Sequence, residues 1–345
     1  MTATTDRGET TRTARAVNRP AFWYRDLISC LQATFGTVLH QRGLDPLTVL
    51  GAGWEFLYLP GDVRGEEFYY PCRPPGDIGR ALAPHHPVSA TWHTAPDDDP
   101  LRVLAELVAA GELPIAAVDN YHLPFRPAFH DVHAAHLVVV YGVDRFRGLV
   151  HVSDAMPPAF TGPVRAEDFL NAWGSANPAD EQDAFFSDAR IGRRYLTVDV
   201  GPDVPTLDRE WLSDVLRANV AGFAQERAGW SGLTRYLRWL SAAAAAGDAD
   251  PLREAYVFGW GMQALSSLHG ELLRRQGARW SDAALSEAGR RVESAAHSWT
   301  GLRVTAAHGW PDPRAAAADI DRHGQRLRER YEIALAALDR VAALP

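Results

Sequence analysis

Residues 131–142, DVHAAHLVVVYG, and residues 149–154, LVHVSD, decide the fold of the first half of this chain. Each segment contains a run rich in β-branched apolar residues, and a glycine-containing turn lies between the runs. This pattern predicts an antiparallel β-hairpin. Because such a hairpin places the start of one strand beside the end of the next, we expect the side chains of His136 and Asp154 to meet.

A histidine held by a carboxylate is half of a nucleophilic catalytic group, and Cys30 is the candidate for the missing nucleophile. Apolar residues recur at helical spacing from Leu27 to Leu39, and Gly43 ends this predicted helix, so Cys30 lies in its first turn. Unpaired N–H groups and the helix dipole favour a thiolate at that position. The competing interpretation is a buried cysteine that only fills space.

The composition excludes several classes of function. The net charge of −8 argues against nucleic acid as a partner, since phosphate binding needs concentrated positive charge. All 35 basic residues are arginine, so there is no P-loop lysine and no lysine for a Schiff base. No apolar run has the length of a membrane span. Two cysteines make no disulfide framework, and we expect a cytoplasmic protein.

The pattern of the chain predicts a tail and two domains. Residues 1–20 are rich in Thr and Arg without an apolar core, which is typical of a disordered tail and not of a secretion signal. Residues 21–202 alternate helical and strand patterns, which indicates an α+β domain with an antiparallel sheet. Helical periodicity dominates residues 203–345 and predicts a helical bundle domain.

Four histidines crowd the predicted hairpin: His122, His130, His133 and His136. Together with Asp131 they suggest a metal site, because imidazole and carboxylate are common zinc ligands. The helical spacing and the glutamate of the zinc protease motif are absent, however. We therefore predict no metal, and interpret His130 and His133 as part of a polar loop over a cleft.

The order of cysteine, a much later histidine and an aspartate 18 residues beyond it resembles that of papain-like peptidases, including the bacteriocin-processing C39 group. Four motifs together also resemble the family of butirosin biosynthesis protein H. They are Ser29-Cys30-Leu31, Asp119-x-Tyr121-x-Leu123-Pro124, His133-x-x-His136-x-Val138-Val139-Val140-x-Gly142 and Val152-x-Asp154.

The resemblance implies a papain-like (C39-like) cysteine-enzyme domain followed by a helical bundle. It further implies an acyltransferase that takes an acyl chain from the thioester of an acyl or peptidyl carrier protein. The chain would pass through Cys30 to an amine of a small antibiotic intermediate, with His136 as base and Asp154 as its partner. No cofactor belongs to the enzyme, and the phosphopantetheine arm belongs to the donor.

The oxyanion hole departs from the papain-like pattern. Those peptidases place a glutamine several residues before the cysteine, where this chain has Tyr24, and Gln32 follows Cys30 instead. The backbone N–H of Cys30 is the first predicted donor, and a second is expected from Asn120 or Tyr121. The predicted oxyanion or substrate-lining residues are Gln32, Asp119, Asn120, Tyr121 and His133.

Two other functions use the same residues. A cysteine peptidase or thioesterase would hydrolyse a peptide or thioester, and a non-catalytic scaffold would only bind a carrier protein. Because carrier proteins and this chain are both acidic, docking would need a local arginine-rich face. The candidates are Arg25 and Arg73, Arg193 and Arg194, and the cluster 274–291. A homodimer is left open.

Overall fold

The computed structural model describes residues 19–59, 67–225 and 228–342. The predicted tail 1–20 lies outside them except for Arg19 and Pro20, neither of which is in a helix or strand. The prediction of a disordered tail therefore stays a prediction.

A six-stranded sheet forms the centre of the first half. Its strands are β1 (Val88–Thr94), β2 (Ile115–Asp119), β3 (Ala135–Asp144), β4 (Leu149–Asp154), β5 (Phe160–Arg165) and β6 (Arg194–Val200). Their order is β1-β6-β2-β3-β4-β5, and all neighbours are antiparallel. The predicted hairpin is confirmed as β3 and β4, and the prediction of an α+β fold with an antiparallel sheet is confirmed with it.

Among the described residues, the α-helices that accompany this sheet are α1 (Cys30–Gln41), α2 (Pro46–Leu50), α3 (Ile78–Leu82), α4 (Pro100–Ala109) and α5 (Ala166–Gly174). Helix α1 begins at Cys30 and not near Leu27, because Ser29 is extended and its N–H donates to Gln32 Oε1 at 3.1 Å. Gly43 ends the helix with a φ of 81°. Cys30 is therefore the first helical residue.

The second half is helical, as predicted. Its helices are α6 (Arg209–Phe223), α7 (Gly229–Ala246), α8 (Asp250–Trp280), α9 (Ala283–Gly309) and α10 (Pro313–Ala342). Gly270 and Gly289 let α8 and α9 approach closely, since a Cβ on Gly270 would lie 2.8 Å from the Gly289 carbonyl oxygen. No helix among the described residues is both long and apolar enough to cross a bilayer.

The two halves share one hydrophobic core. Trp54 belongs to the segment after α2, yet its Nε1 donates to Ser266 Oγ at 3.1 Å and its ring stacks on Tyr331 at 5.1 Å. His269 of α8 donates from Nδ1 to the carbonyl oxygen of Gly51 at 2.7 Å. The division into domains 21–202 and 203–345 stays a prediction, because the apolar side chains of both ranges belong to one continuous cluster.

Stability should fall in mild acid because of His269. Burial lowers the pKa of His269 to about 4, although its hydrogen bond to Gly51 opposes this, so the folded chain keeps the ring neutral where the unfolded chain protonates it. The stability that this ring contributes is complete above pH 6.5 and is lost as the pH falls toward 4. The loss amounts to about 3 kcal/mol, measured as the free energy of unfolding in urea.

The matched variant is His269→Gln, which keeps a donor for Gly51 without a titrating ring. Its unfolding free energy should depend less on pH between about 6.5 and 4 than that of the unmodified chain. If the unfolding free energy has the same slope against pH in both proteins, His269 does not cause the loss of stability in acid.

Candidate active site

His136 and Asp154 meet at the end of the hairpin. Val139 pairs with Ser153, so Asp154 lies opposite Val138 and two residues from His136 on the same face. His136 Nε2 lies 2.8 Å from Asp154 Oδ2. The contact predicted from the sequence is therefore confirmed. Both side chains are buried, and the carboxylate has no exposed surface.

Cys30 lies on the other side of the imidazole. Since Nε2 is bonded to Asp154, Nδ1 is the ring nitrogen left for the hydrogen bond with Cys30. Burial lowers the pKa of His136, but the Asp154 carboxylate and the Cys30 side chain outweigh it and raise the pKa to about 9. The arrangement favours a protonated imidazole ring beside the Cys30 sulfur.

Cys72 has different surroundings. Its side chain is fully buried, and its sulfur lies 3.4 Å from the backbone nitrogen of Leu59. It does not line the cavity that Cys30 and His136 share. Of the two free cysteines, Cys30 is the one that lines the cavity with His136.

Cys30 and His136 line a cavity of ≈ 170 Å³. Aromatic and apolar side chains form most of its wall: Phe68, Tyr69, Met156, Phe186, Val257 and Trp260. Val257, Trp260 and Gly261 belong to α8. The helical half therefore forms one side of the cavity around the cysteine.

The helical half also fixes the chain just before Cys30. Gln263 of α8 donates from Nε2 to the Leu27 carbonyl oxygen at 2.9 Å, and Leu27 has a φ of 69° that is rare for leucine. Gln263 Oε1 in turn accepts from Arg303 Nη1 at 2.9 Å. The Arg303 guanidinium lies over Tyr256 and Trp260, 4.5 and 4.4 Å from their ring centroids. Helices α8 and α9 thus fix the backbone just before α1.

Comparison with known families agrees with this geometry. Residues 29–155 match the family described as butirosin biosynthesis protein H, N-terminal. This segment is similar to that family. The match confirms the resemblance of the motifs and includes Cys30, His136 and Asp154. No curated protein matches the chain.

The predicted oxyanion and substrate-lining residues of the butirosin biosynthesis protein H-like segment do not all reach the cavity. Asn120 lines it, and its Oδ1 is buried without a partner among the described residues. Gln32 does not line it, because Oε1 turns back to cap α1 at Ser29. Asp119, Tyr121 and His133 are not among the residues that line this cavity, and their predicted oxyanion or substrate-lining role stays a prediction.

Asp119 instead organises the turn that presents Asn120. Its buried Oδ2 lies 2.7 Å from His133 Nδ1 and accepts from Ser175 Oγ at 2.6 Å. Its Oδ1 accepts from the Tyr121 backbone N–H at 3.0 Å, and the Tyr121 ring stacks on His133 at 4.1 Å. Within the described ranges no three His, Cys, Asp or Glu side chains are grouped to bind a metal.

Sequence reasoning missed two polar side chains of the cavity that contact Asp154 and His136. Arg126 donates from Nη1 to Asp154 Oδ2 at 3.1 Å, and the Tyr69 hydroxyl donates to the His136 carbonyl oxygen at 3.4 Å. Nothing in the sequence around Arg126 or Tyr69 indicates these contacts. Arg126 is one of many arginines and lies in a proline-containing loop, while Tyr69 lies in an aromatic-rich stretch.

Most of the arginines proposed for carrier docking already have carboxylate partners. The pairs are Arg25–Glu271, Arg73–Glu55, Arg193–Asp97, Arg274–Glu293, Arg275–Asp45, Arg290–Glu287 and Arg291–Glu287. The Arg73 side chain is moreover only 7% exposed, so it offers little surface to a partner. Docking of a carrier protein stays a prediction.

Proposed function

We propose that this chain is an amide-forming acyltransferase of antibiotic biosynthesis that works through an acyl-enzyme on Cys30. The main support is the Cys30–His136–Asp154 arrangement at the wall of a largely apolar cavity. The family match supports the role in antibiotic biosynthesis. A cysteine that begins a helix, beside an antiparallel sheet bearing His136 and Asp154, supports a papain-like (C39-like) domain.

In the first half-reaction, the Cys30 thiolate attacks the carbonyl carbon of the donor thioester. The donor's C–S bond breaks, and His136 Nδ1 gives its proton to the departing pantetheine sulfur. One thioester replaces another, so the acyl-enzyme forms at little cost. The Cys30 backbone N–H, free at the first helical position, donates to the oxyanion.

In the second half-reaction, an amine nitrogen attacks the acyl carbon. His136 Nδ1 takes the amine proton, the C–S bond to Cys30 breaks, and the thiolate–imidazolium pair returns. Asp154 fixes the tautomer of the ring by binding Nε2. Phe68, Phe186 and Trp260 around the cysteine keep water from the acyl-enzyme.

The donor we propose is an acyl or peptidyl carrier protein with its phosphopantetheine arm, and the acceptor is a small amine. Incubation with a pantetheine thioester, followed by intact-mass measurement, tests the proposal. Stable loading of Cys30 with amine-dependent release is the expected result. Rapid hydrolysis would instead identify a thioesterase or peptidase, and absence of loading a non-catalytic carrier-binding scaffold.

A further inference from the structure

Asp154 has two cationic neighbours. Its Oδ2 lies 2.8 Å from His136 Nε2 and 3.1 Å from Arg126 Nη1, and its Oδ1 accepts from the Met156 backbone N–H at 2.9 Å. The carboxylate is fully buried, so water does not stabilise its charge. Arg126 is 12% exposed and lines the same cavity as His136.

The position of Arg126 is fixed by contacts to the strand ends that carry Asp154. Nη1 also donates to the Met156 carbonyl oxygen at 3.2 Å. The preceding Phe125 stacks on Phe160, with ring centroids 4.1 Å apart, and Phe160 is the β5 partner of Asp154. Contacts within the chain thus hold the guanidinium on the carboxylate.

Arg126 balances the charge of the buried Asp154 carboxylate. In the resting state the His136 imidazolium faces Cys30, and Arg126 pairs with Asp154. In the acyl-enzyme the sulfur is uncharged, and His136 must be neutral to take the amine proton. Asp154 and Arg126 still balance then. Without Arg126 the buried carboxylate would depend on the His136 proton, since an unpaired buried charge is costly.

We propose that Arg126 is a positioning residue that keeps Asp154 ionised while His136 is neutral, so that aminolysis of the acyl-enzyme proceeds near neutral pH. This inference rests on the proposed acyltransferase function. The amine nitrogen bonds to the acyl carbon, its proton goes to His136 Nδ1, and the C–S bond breaks to give the Cys30 thiolate. No other reactant is needed.

The raised pKa of His136 agrees with this role. Burial acts against it, but Asp154 and Cys30 together raise the pKa to about 9, and acylation removes the share of the Cys30 thiolate. The permanent positive charge of Arg126 offsets part of the attraction between the Asp154 carboxylate and the proton on His136. The titratable or charged side chains that line the cavity with His136 are Cys30, Tyr69, Arg126 and Asp183, and Asp154 lies behind the ring.

Arg126→Met tests the proposal, with a butyryl thioester of N-acetylcysteamine as donor and glycinamide as amine. We expect loading of Cys30 within about threefold of the unmodified chain, because the resting pair is retained. Release by glycinamide at about pH 7 should fall about tenfold or more, and its pH profile should move about one unit to alkaline pH. Arg126→Lys, which keeps the charge, should restore most of the release rate.

Arg145→Met is the control, because Arg145 pairs with Asp99 on the surface and does not line the cavity. If Arg126→Met does not fold by circular dichroism, Arg126→Gln carries the same test. A pH profile of release that superimposes on that of the unmodified chain overturns the role of Arg126. Failure of the unmodified chain to load butyryl would instead contradict the proposed function.

Discussion

Replacing Cys30 by alanine should abolish acyl loading completely. The thiolate is the proposed attacking atom, and the described part of the chain offers no second cysteine in the cavity. Iodoacetamide at about pH 7 should label Cys30 and leave Cys72 unmodified, because Cys72 is fully buried whereas Cys30 begins α1 beside His136. Peptide mapping after alkylation and intact mass after thioester incubation provide the two measurements.

Cys72→Ala is the matched control, since it removes the other thiol and leaves the cavity intact. It should load and alkylate at the rate of the unmodified protein once folding is verified. Loading that persists in Cys30→Ala, or label that divides equally between the two cysteines, would contradict Cys30 as the nucleophile.

Asp154→Asn should have the second-largest effect. In the unmodified chain, Asp154 Oδ2 accepts hydrogen bonds from His136 and Arg126. The asparagine side chain has nearly the same shape, but it can place an N–H donor at that position. The ring would then carry its proton on Nδ1, where it cannot accept one from the amine. Aminolysis of the acyl-enzyme should fall about 10²-fold or more, measured in single turnovers with glycinamide.

Asp154→Asn should also change how the free energy of unfolding depends on pH above neutrality. In the unmodified chain the raised pKa of His136 contributes stability that is complete below pH 6.5 and is lost as the pH rises through about 9. Without the carboxylate this loss should largely disappear. Asp144→Asn, at the other end of the hairpin, is the control and should change neither aminolysis nor the alkaline limb. An aminolysis rate in Asp154→Asn equal to that of the control would contradict the role of Asp154.

Local sequence was enough to predict the His136–Asp154 contact. A hairpin is a short-range structure, so the apolar runs of β3 and β4 determine which side chains share a face. Helix α1 was predicted from periodicity in the same way, although its start at Cys30 required the Ser29–Gln32 capping interaction.

The remainder of the site depends on contacts between distant segments. Strand β6 lies between β1 and β2, although it follows β5 in the chain. No short-range sequence pattern predicts this strand order. Trp260 reaches the cavity, and Gln263 reaches the Leu27 carbonyl oxygen, only because α8 packs on the first half. Arg126 reaches Asp154 through a loop whose conformation depends on the Phe125–Phe160 stack.

The wall of the cavity has a consequence for how such enzymes diversify. The family match ends at residue 155, whereas Phe186, Val257, Trp260 and Gly261 follow it in the chain. Under the proposed function, the bond-making groups lie within the matched segment, whereas part of the cavity wall, including that from α8, is encoded beyond it. Substitutions in α8 can therefore change substrate preference while the reaction is inherited intact, and a chimera should combine the chemistry of one parent with the selectivity of the other.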